Sequence, residues 1–311
     1  MWLFCRVSVA VLAVVISYSL SADAVVNIQN LGAGARSASL GNAYVAVADD
    51  GDAVFANPAG LGQVERRQLA YTNVSLLYTG IDGGGLGQHV ASFVQPMGDK
   101  LSLGLGYERI GSDLMSENGA FLGLSFQLNR NLALGLTAKY LFWSVGEIPN
   151  GDPLSNTTAG APGVDLGLLW KSPIRGAKIG MLVKNLNKPN VASGTVKNTD
   201  GSEAGGLPMD LHFGVSADVA EASMVSVQWV MRDVGGDAVD SRLVVGGETR
   251  LAEGLKLRAG GAKIFEDDSS GNLNAGLGYT WNKMLFNYGY HIPLDLTETN
   301  GLHRFSINYL L

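Results

Sequence analysis

Leu101-Ser102-Leu103-Gly104-Leu105-Gly106-Tyr107-Glu108-Arg109 carries a bulky apolar residue at alternate positions. Successive side chains of a β-strand point to opposite faces. Leu101, Leu103, Leu105 and Tyr107 therefore share one face, and Ser102, Gly104, Gly106 and Glu108 the other. The following segments repeat the pattern: Ala120, Leu122, Leu124, Phe126 and Leu128 oppose Phe121, Gly123, Ser125 and Gln127. Leu132, Leu134, Leu136, Ala138, Tyr140 and Phe142 then form an uncharged face, with Lys139 on the opposite side. Period two, sustained over stretches of about ten residues, predicts strands.

Working outward from these segments gives fourteen strands, near 68–79, 87–96, 100–110, 119–128, 131–144, 163–170, 177–185, 208–219, 223–233, 241–251, 255–264, 272–281, 283–291 and 302–311. The connections alternate in length. Met97-Gly98-Asp99, Asn129-Arg130 and Ala252-Glu253-Gly254 are tight turns, whereas the intervening connections are longer, 145–162 and 186–207 most of all. Short periplasmic turns with long external loops are the asymmetry of an outer-membrane barrel, as is an even strand number. A soluble sandwich or propeller has no reason to sort its loops by parity.

Composition agrees. Apolar residues make up 46% of the chain, charged ones 16%, and there are 42 glycines. A soluble domain carries about 25% charged residues, so this surface is short of charge. No apolar run of about 18 residues, the length of a spanning helix, follows the first two dozen residues. A closed barrel, whose strands satisfy each other's backbone groups, is the remaining membrane solution.

Residues 1–24 read as an export signal: Arg6 precedes the apolar run Val7 to Ile16, and Ala22-Asp23-Ala24 fits an A-x-A cleavage site. The run is too short for a transmembrane anchor. Cys5, the single cysteine, precedes that run, so it is not a lipoprotein cysteine, and a chain starting at Val25 has no thiol for disulfides, metals or catalysis. Loss of Arg6 and Asp23 leaves the net charge at -6, which argues against a nucleic-acid partner.

Aromatic residues fall near segment ends, as at Tyr107, Tyr140, Phe142, Trp170, Trp229, Tyr279 and Trp281, the placement of rings at the headgroup level. The last segment aligns Phe305, Ile307, Tyr309 and Leu311. It resembles the C-terminal insertion signal of barrel proteins, departing from it in ending on Leu rather than Phe. Charges facing lipid near the midplane cost a few kcal/mol each, so Glu108, Lys139, Asp165, Lys178, Asp218, Arg232, Glu248 and Arg258 are expected in the lumen or at a rim. Pairing strands ten and eleven around Ala252-Glu253-Gly254 sets Glu248 opposite Arg258, an expected lumenal ion pair. Leu141, Trp143, Leu169 and Leu182 fall on the otherwise polar face, as lining for an apolar pocket or as contacts of an inner segment.

Residues 25–66 do not alternate. Leu40, Ala43, Tyr44 and Val47 lie at helical spacing, with Ser37 or Ser39 as cap and Asp49-Asp50-Gly51 as the stop. Two acids at a helix C-terminus oppose its dipole, so Asp50 or Asp52 is expected to cap a following turn at Ala53-Val54-Phe55. Asn57-Pro58 then calls for extended or turn backbone.

The stretch Gly34 to Asp50, GARSASLGNAYVAVADD, followed by Ala56-Asn57-Pro58-Ala59-Gly60-Leu61, resembles the start of FadL-type outer-membrane proteins, with the PorV/PorQ group closest. That resemblance implies a fourteen-stranded barrel over 67–311, with 25–66 forming a hatch in its periplasmic end. By position, Asp49, Asp50, Asn57, Pro58, Ala59 and Gly60 would be the hatch motif, holding the segment to the wall without chemistry. It also implies two functions. FadL relatives pass hydrophobic small molecules across the outer membrane, and PorV relatives bind exported proteins within type IX secretion machinery. Transport is the preferred reading and secretion the alternative; the hatch motif does not separate them.

Catalysis is not expected. His89, His212, His291 and His303 are scattered, with no G-x-S-x-G stretch and no paired-histidine metal spacing. The acidic loops Asp49 to Asp52 and Glu266-Asp267-Asp268 lack EF-hand spacing. No metal or cofactor is called for. The expected partners are outer-membrane lipid and either a hydrophobic small molecule or an exported protein.

Overall fold

A computed structural model describes residues 32–75, 87–112, 114–148, 154–174, 176–191, 206–236, 239–265, 271–294 and 301–311. The expected leader 1–24, the start of the N-terminal segment, residues 76–79 of the first strand, the middles of the two longest loops and Glu266-Asp267-Asp268 lie outside these residues.

Fourteen strands run in chain order: β1 (Gln68–Ser75), β2 (Gly87–Met97), β3 (Leu101–Gly111), β4 (Met115–Gln127), β5 (Leu132–Val145), β6 (Thr158–Lys171), β7 (Lys178–Lys184), β8 (Asp210–Ala220), β9 (Ser223–Arg232), β10 (Asp240–Ala252), β11 (Leu255–Ile264), β12 (Gly271–Trp281), β13 (Met284–Pro293) and β14 (Leu302–Leu310). Each pairs antiparallel with its sequence neighbours, and β1 pairs with β14, so the barrel closes without a free edge. Two strands start earlier than alternation predicts. β4 begins at Met115 and β6 at Thr158, because Ser116–Gly119 and Ala159–Gly163 keep the ladder with β5 although they lack bulky alternating residues. The connection between β3 and β4 is consequently short, so loop length sorts by parity less cleanly than the sequence suggests. Register shifts at Asp218/Ala220 and Arg250/Ala252 sit beside tight turns, where bulges end pairing.

The wall is apolar outside. Leu105, Leu122, Leu124, Leu134, Leu136, Leu277 and Ile307 are exposed, while Lys139 and Arg258 are 4% and 3% exposed on the inner side. Tyr107, Tyr140 and Trp229 face outward toward the end carrying the longer loops, and Trp170, Tyr279 and Trp281 toward the end carrying the tight turns. A closed wall of this polarity crosses a membrane with strands. No helix among the described residues is long and apolar enough to do so.

The described chain before β1, from residue 32, lies inside this wall. It forms α1 (Ala35–Ser39), a turn-rich stretch, α2 (Ala53–Ala56) and a 3-10 helix (Pro58–Gln63). The helix expected over Leu40 to Val47 is absent. Gly41 and Asn42 both take left-handed φ values of 68°, so α1 ends at Ser39, just as that apolar stripe begins. Leu40, Ala43, Tyr44 and Val47 are nevertheless all buried, so their spacing reports burial and not helix.

Lumenal glycines let this segment lie directly on the wall. A Cβ at Gly135 would stand 2.1 Å from the Ala59 nitrogen, and one at Gly180 2.2 Å from the Val45 carbonyl oxygen. At Gly246 and Gly260 it would stand 2.4 and 2.3 Å from the Leu40 backbone. Backbone rests on backbone at these points, an approach only glycine permits.

Candidate functional site

The inner segment divides the lumen into two cavities. One, of about 360 Å³, opens toward the longer loops, and Tyr44, Val45, Asp52 and Phe55 of the segment form part of its lining. The other, of about 390 Å³, lies toward the tight turns and is lined by Arg36, Asp49, Asp50 and Gln63 from the same segment.

Side chains from around the wall satisfy the segment's backbone. Gln228 Oε1 accepts from the amides of Tyr44 and Val45 at 3.0 and 2.9 Å. Ser125 Oγ donates to the Ala59 carbonyl, and Ser306 Oγ accepts from the Ala35 amide. Arg304 Nη1 donates to the Gly32 carbonyl at 2.8 Å. Asn57 joins both parts: Nδ2 donates to the carbonyls of Val45 and, across to β6, Leu168, while Oδ1 accepts from the Ala59 amide. Its extended backbone, with φ of -167°, precedes Pro58 as the sequence predicts, and the 3-10 helix starts there. Buried backbone groups need such partners, and these wall residues supply them.

Asp49 and Asp50 do not oppose a helix dipole, since no helix ends at them; they pair with Arg36, which the sequence reading passed over. Its Nη1 bridges both carboxylates and its Nε donates to Glu248 at 2.9 Å. Burial alone would lower the Arg36 pKa, but Asp49, Tyr44, Glu248 and Asp50 outweigh it and hold the guanidinium charged. Asp50 Oδ1 accepts from the Asp52 amide, and Asp52 stands just before α2 with no capping hydrogen bond from its own side chain. Its carboxylate accepts from Ser37 Oγ instead. Burial, and then the charge of Asp50, push the Asp52 pKa up to about 7.

The five lumenal candidates separate into three places. Glu108 lines the loop-side cavity. Lys139 and Asp165 form an ion pair at 2.6 Å, side chains 0% and 5% exposed, and Asp165 also accepts from the Asn185 amide at 2.7 Å. Glu248 and Arg258 meet at 2.6 Å, as their register implies, on the turn side, where Arg36 draws Glu248 to the inner segment. Of the apolar candidates, Leu182 lines the cavity and Leu169 packs on Ala59. Leu141 and Trp143 belong to an apolar cluster with Phe121, Val145, Ala161, Val191 and Leu207 at the mouth. Trp143 Nε1 donates to the Val191 carbonyl there.

Residues that the sequence reading missed complete the loop-side cavity. Phe55, Phe121, Val230, Val244 and Ile264 are its apolar lining, interleaved with the cationic Lys184, Arg232, Arg242 and Arg304 and with His212: Val230 pairs with both His212 and Arg242, and Ile264 with Arg242. Lumenal parity marked Arg232, but nothing in the sequence marked the others as meeting in space. Among the described residues no group of His, Cys, Asp or Glu could hold a metal ion.

No protein-family model matches the chain, and no curated protein is similar to it. Solved structures are. The toluene transporter TbuX of Ralstonia pickettii superposes with a TM-score of 0.65 at 15% identity, over 89% of this chain and 97% of that one. A monoaromatic hydrocarbon channel, CymD, gives 0.66 at 14%, over 90% and 98%. A FadL homologue of Pseudomonas aeruginosa gives 0.60 at 15%, over 89% and 98%. Almost the whole length of each is matched, so the chain shares the barrel fold of these three proteins.

Proposed function

We propose that the protein is an outer-membrane channel of FadL type for hydrophobic small molecules, with residues 25–66 acting as its hatch and the motif Asp49 to Gly60 holding that hatch to the wall. The observation that carries this reading is the loop-side cavity. Its lining includes the apolar Phe55, Phe121, Leu182, Val230, Val244 and Ile264, of which Phe121, with Phe55 packed on it, belongs to the apolar cluster at the mouth, and its inner boundary is the N-terminal segment. A volume of about 360 Å³ lies within the range of small-molecule sites, about 300–1,000 Å³. The hydrocarbon channels that share the fold support the same class of cargo.

The secretion alternative needs apolar external loops for a protein partner. Val191 and Leu207, described residues of the longest connection, are buried in the mouth and are not themselves offered to a protein partner. The test is uptake of radiolabelled toluene and oleate by vesicles containing the purified protein. Phe121→Arg, which places a cation in the cavity, is expected to abolish uptake while leaving heat-dependent gel mobility intact. No uptake by the unaltered barrel, together with co-purification of exported proteins, overturns the transport reading.

A further inference from the structure

The outer wall distributes charge unevenly. Within the described strands every Asp and Glu projects, by strand parity, to the lumenal side. The ionisable nitrogen-bearing groups that project outward are Arg109, Lys263, His89 and His303, all in the loop-side half. Four strands set two of them in one row: Asn73 of β1 pairs with His89 of β2, His89 with Arg109 of β3, and Arg109 with Asn118 of β4.

The row immediately toward the membrane centre is Tyr71, Ala91 and Tyr107. Both phenols reach up to the polar row. Tyr71 Oη lies 2.8 Å from His89 Nδ1, and Tyr107 Oη donates to Asn118 Oδ1 at 2.8 Å. Asn73 Nδ2 also lies 3.3 Å from His89 Nδ1. An amide nitrogen donates, so in this arrangement Nδ1 accepts and Nε2 is left to donate outward. The side chain of Arg109 is exposed and makes no hydrogen bond or ion pair with any described residue. Two donors thus stand side by side at the boundary, above a cleft that the small Ala91 leaves between two tyrosine rings. Below it Leu69, Phe93 and Leu105 continue the apolar wall.

We propose that this patch binds one outer-leaflet lipid with an anionic, phosphate-bearing headgroup. Arg109 and His89 hold the phosphate, and an acyl chain lies in the cleft over Ala91. Guanidinium matches phosphate oxygens in geometry and charge, and no carboxylate of the described strands projects outward to repel an anion. The adjoining apolar cleft selects a lipid over a free ion. The site is separate from the lumen, so it stands whatever the channel carries.

The test is native mass spectrometry of the detergent-solubilised barrel titrated with dimyristoyl phosphatidic acid, dimyristoyl phosphatidylcholine or inorganic phosphate. The expected result is saturation at one phosphatidic acid, bound more tightly than phosphatidylcholine. A basic residue near a membrane surface changes anionic-lipid affinity about fivefold, so Arg109→Gln should weaken binding by about that factor. Lys263→Gln should leave it unchanged. Ala91→Leu fills the cleft and should weaken phosphatidic acid without involving either donor, which keeps the test independent of any folding defect in Arg109→Gln. Equal affinity for the two lipids, equal loss in Lys263→Gln, or inorganic phosphate binding as tightly as phosphatidic acid would each overturn the proposal.

Discussion

Arg36 is the point at which the hatch reading is most exposed to test. Its side chain is 13% exposed, and it faces Asp49 at 33%, Asp50 at 9% and Glu248 at 9%. Removing one partner of a buried ion pair costs about 3–5 kcal/mol. Here the loss is smaller, for three reasons. Glu248 keeps Lys256 at 2.8 Å and Arg258 at 2.6 Å; Asp50 keeps the Asp52 amide; and a carboxylate as exposed as Asp49 gains at most about 1 kcal/mol from its partner. Arg36→Ala should therefore weaken docking of the segment by about 2 kcal/mol, or roughly thirtyfold in the ratio of displaced to docked states. The strand ladder is untouched, so thermal unfolding of the barrel should barely move. Planar-bilayer recording reads the difference directly, as openings about thirty times more frequent in Arg36→Ala than in the unaltered protein. Unchanged opening frequency, in a variant that retains heat-dependent mobility, would mean that the Arg36 cluster does not hold the segment in place.

Gly135→Val puts a branched side chain where even a Cβ would meet the Ala59 nitrogen at 2.1 Å; it should lift the 3-10 helix from β5 and raise trypsin cleavage at Arg66 and Arg67, with the barrel intact. Lys139→Met leaves Asp165 buried without its cation and should cost about 3–5 kcal/mol in urea unfolding from vesicles. Lys139→Met with Asp165→Leu should recover part of that loss, the remainder reflecting the Asn185 amide that Asp165 satisfies. Asp52 titrates near 7 in the folded protein, above about 3.9 for an unfolded Asp. Its neutral form is the one the fold favours, so the contribution is full below the unfolded value and is lost as pH rises toward 7. Segment docking should weaken between pH 4 and 7, and Asp52→Asn should flatten that dependence in bilayer opening frequency.

The wall was legible because its two faces meet different solvents. Lipid favours bulky apolar residues at most outward positions, and period two recovers that preference from Leu101–Tyr107 or Leu132–Phe142 without any knowledge of what lies inside. Where the demand relaxes near the loop end, as at Ser116–Gly119 and Ala159–Gly163, strands persist that alternation does not mark. The inner face follows another rule. Its glycines, Gly135, Gly180, Gly246 and Gly260 among them, read in isolation as mere smallness, yet each stands where the inner segment lays its backbone on the wall. Their spacing is a footprint of Leu40, Val45 and Ala59, residues between about 75 and 220 positions away in the chain. Arg36 was hidden for a related reason. A single arginine in a helix start has no pattern to announce it, and its partners come from the segment's own later turn and from β10. The cavity is the extreme case: Phe55, Phe121, Lys184, His212 and Arg304 come from five separate elements or their edges, and only closure of the barrel makes them neighbours. In this fold, therefore, what touches lipid is written locally. What lines the lumen is written in pairings between the wall and the chain it encloses, so variants of the enclosed surface, and not of the wall, are the ones that should separate the proposed transport from stability.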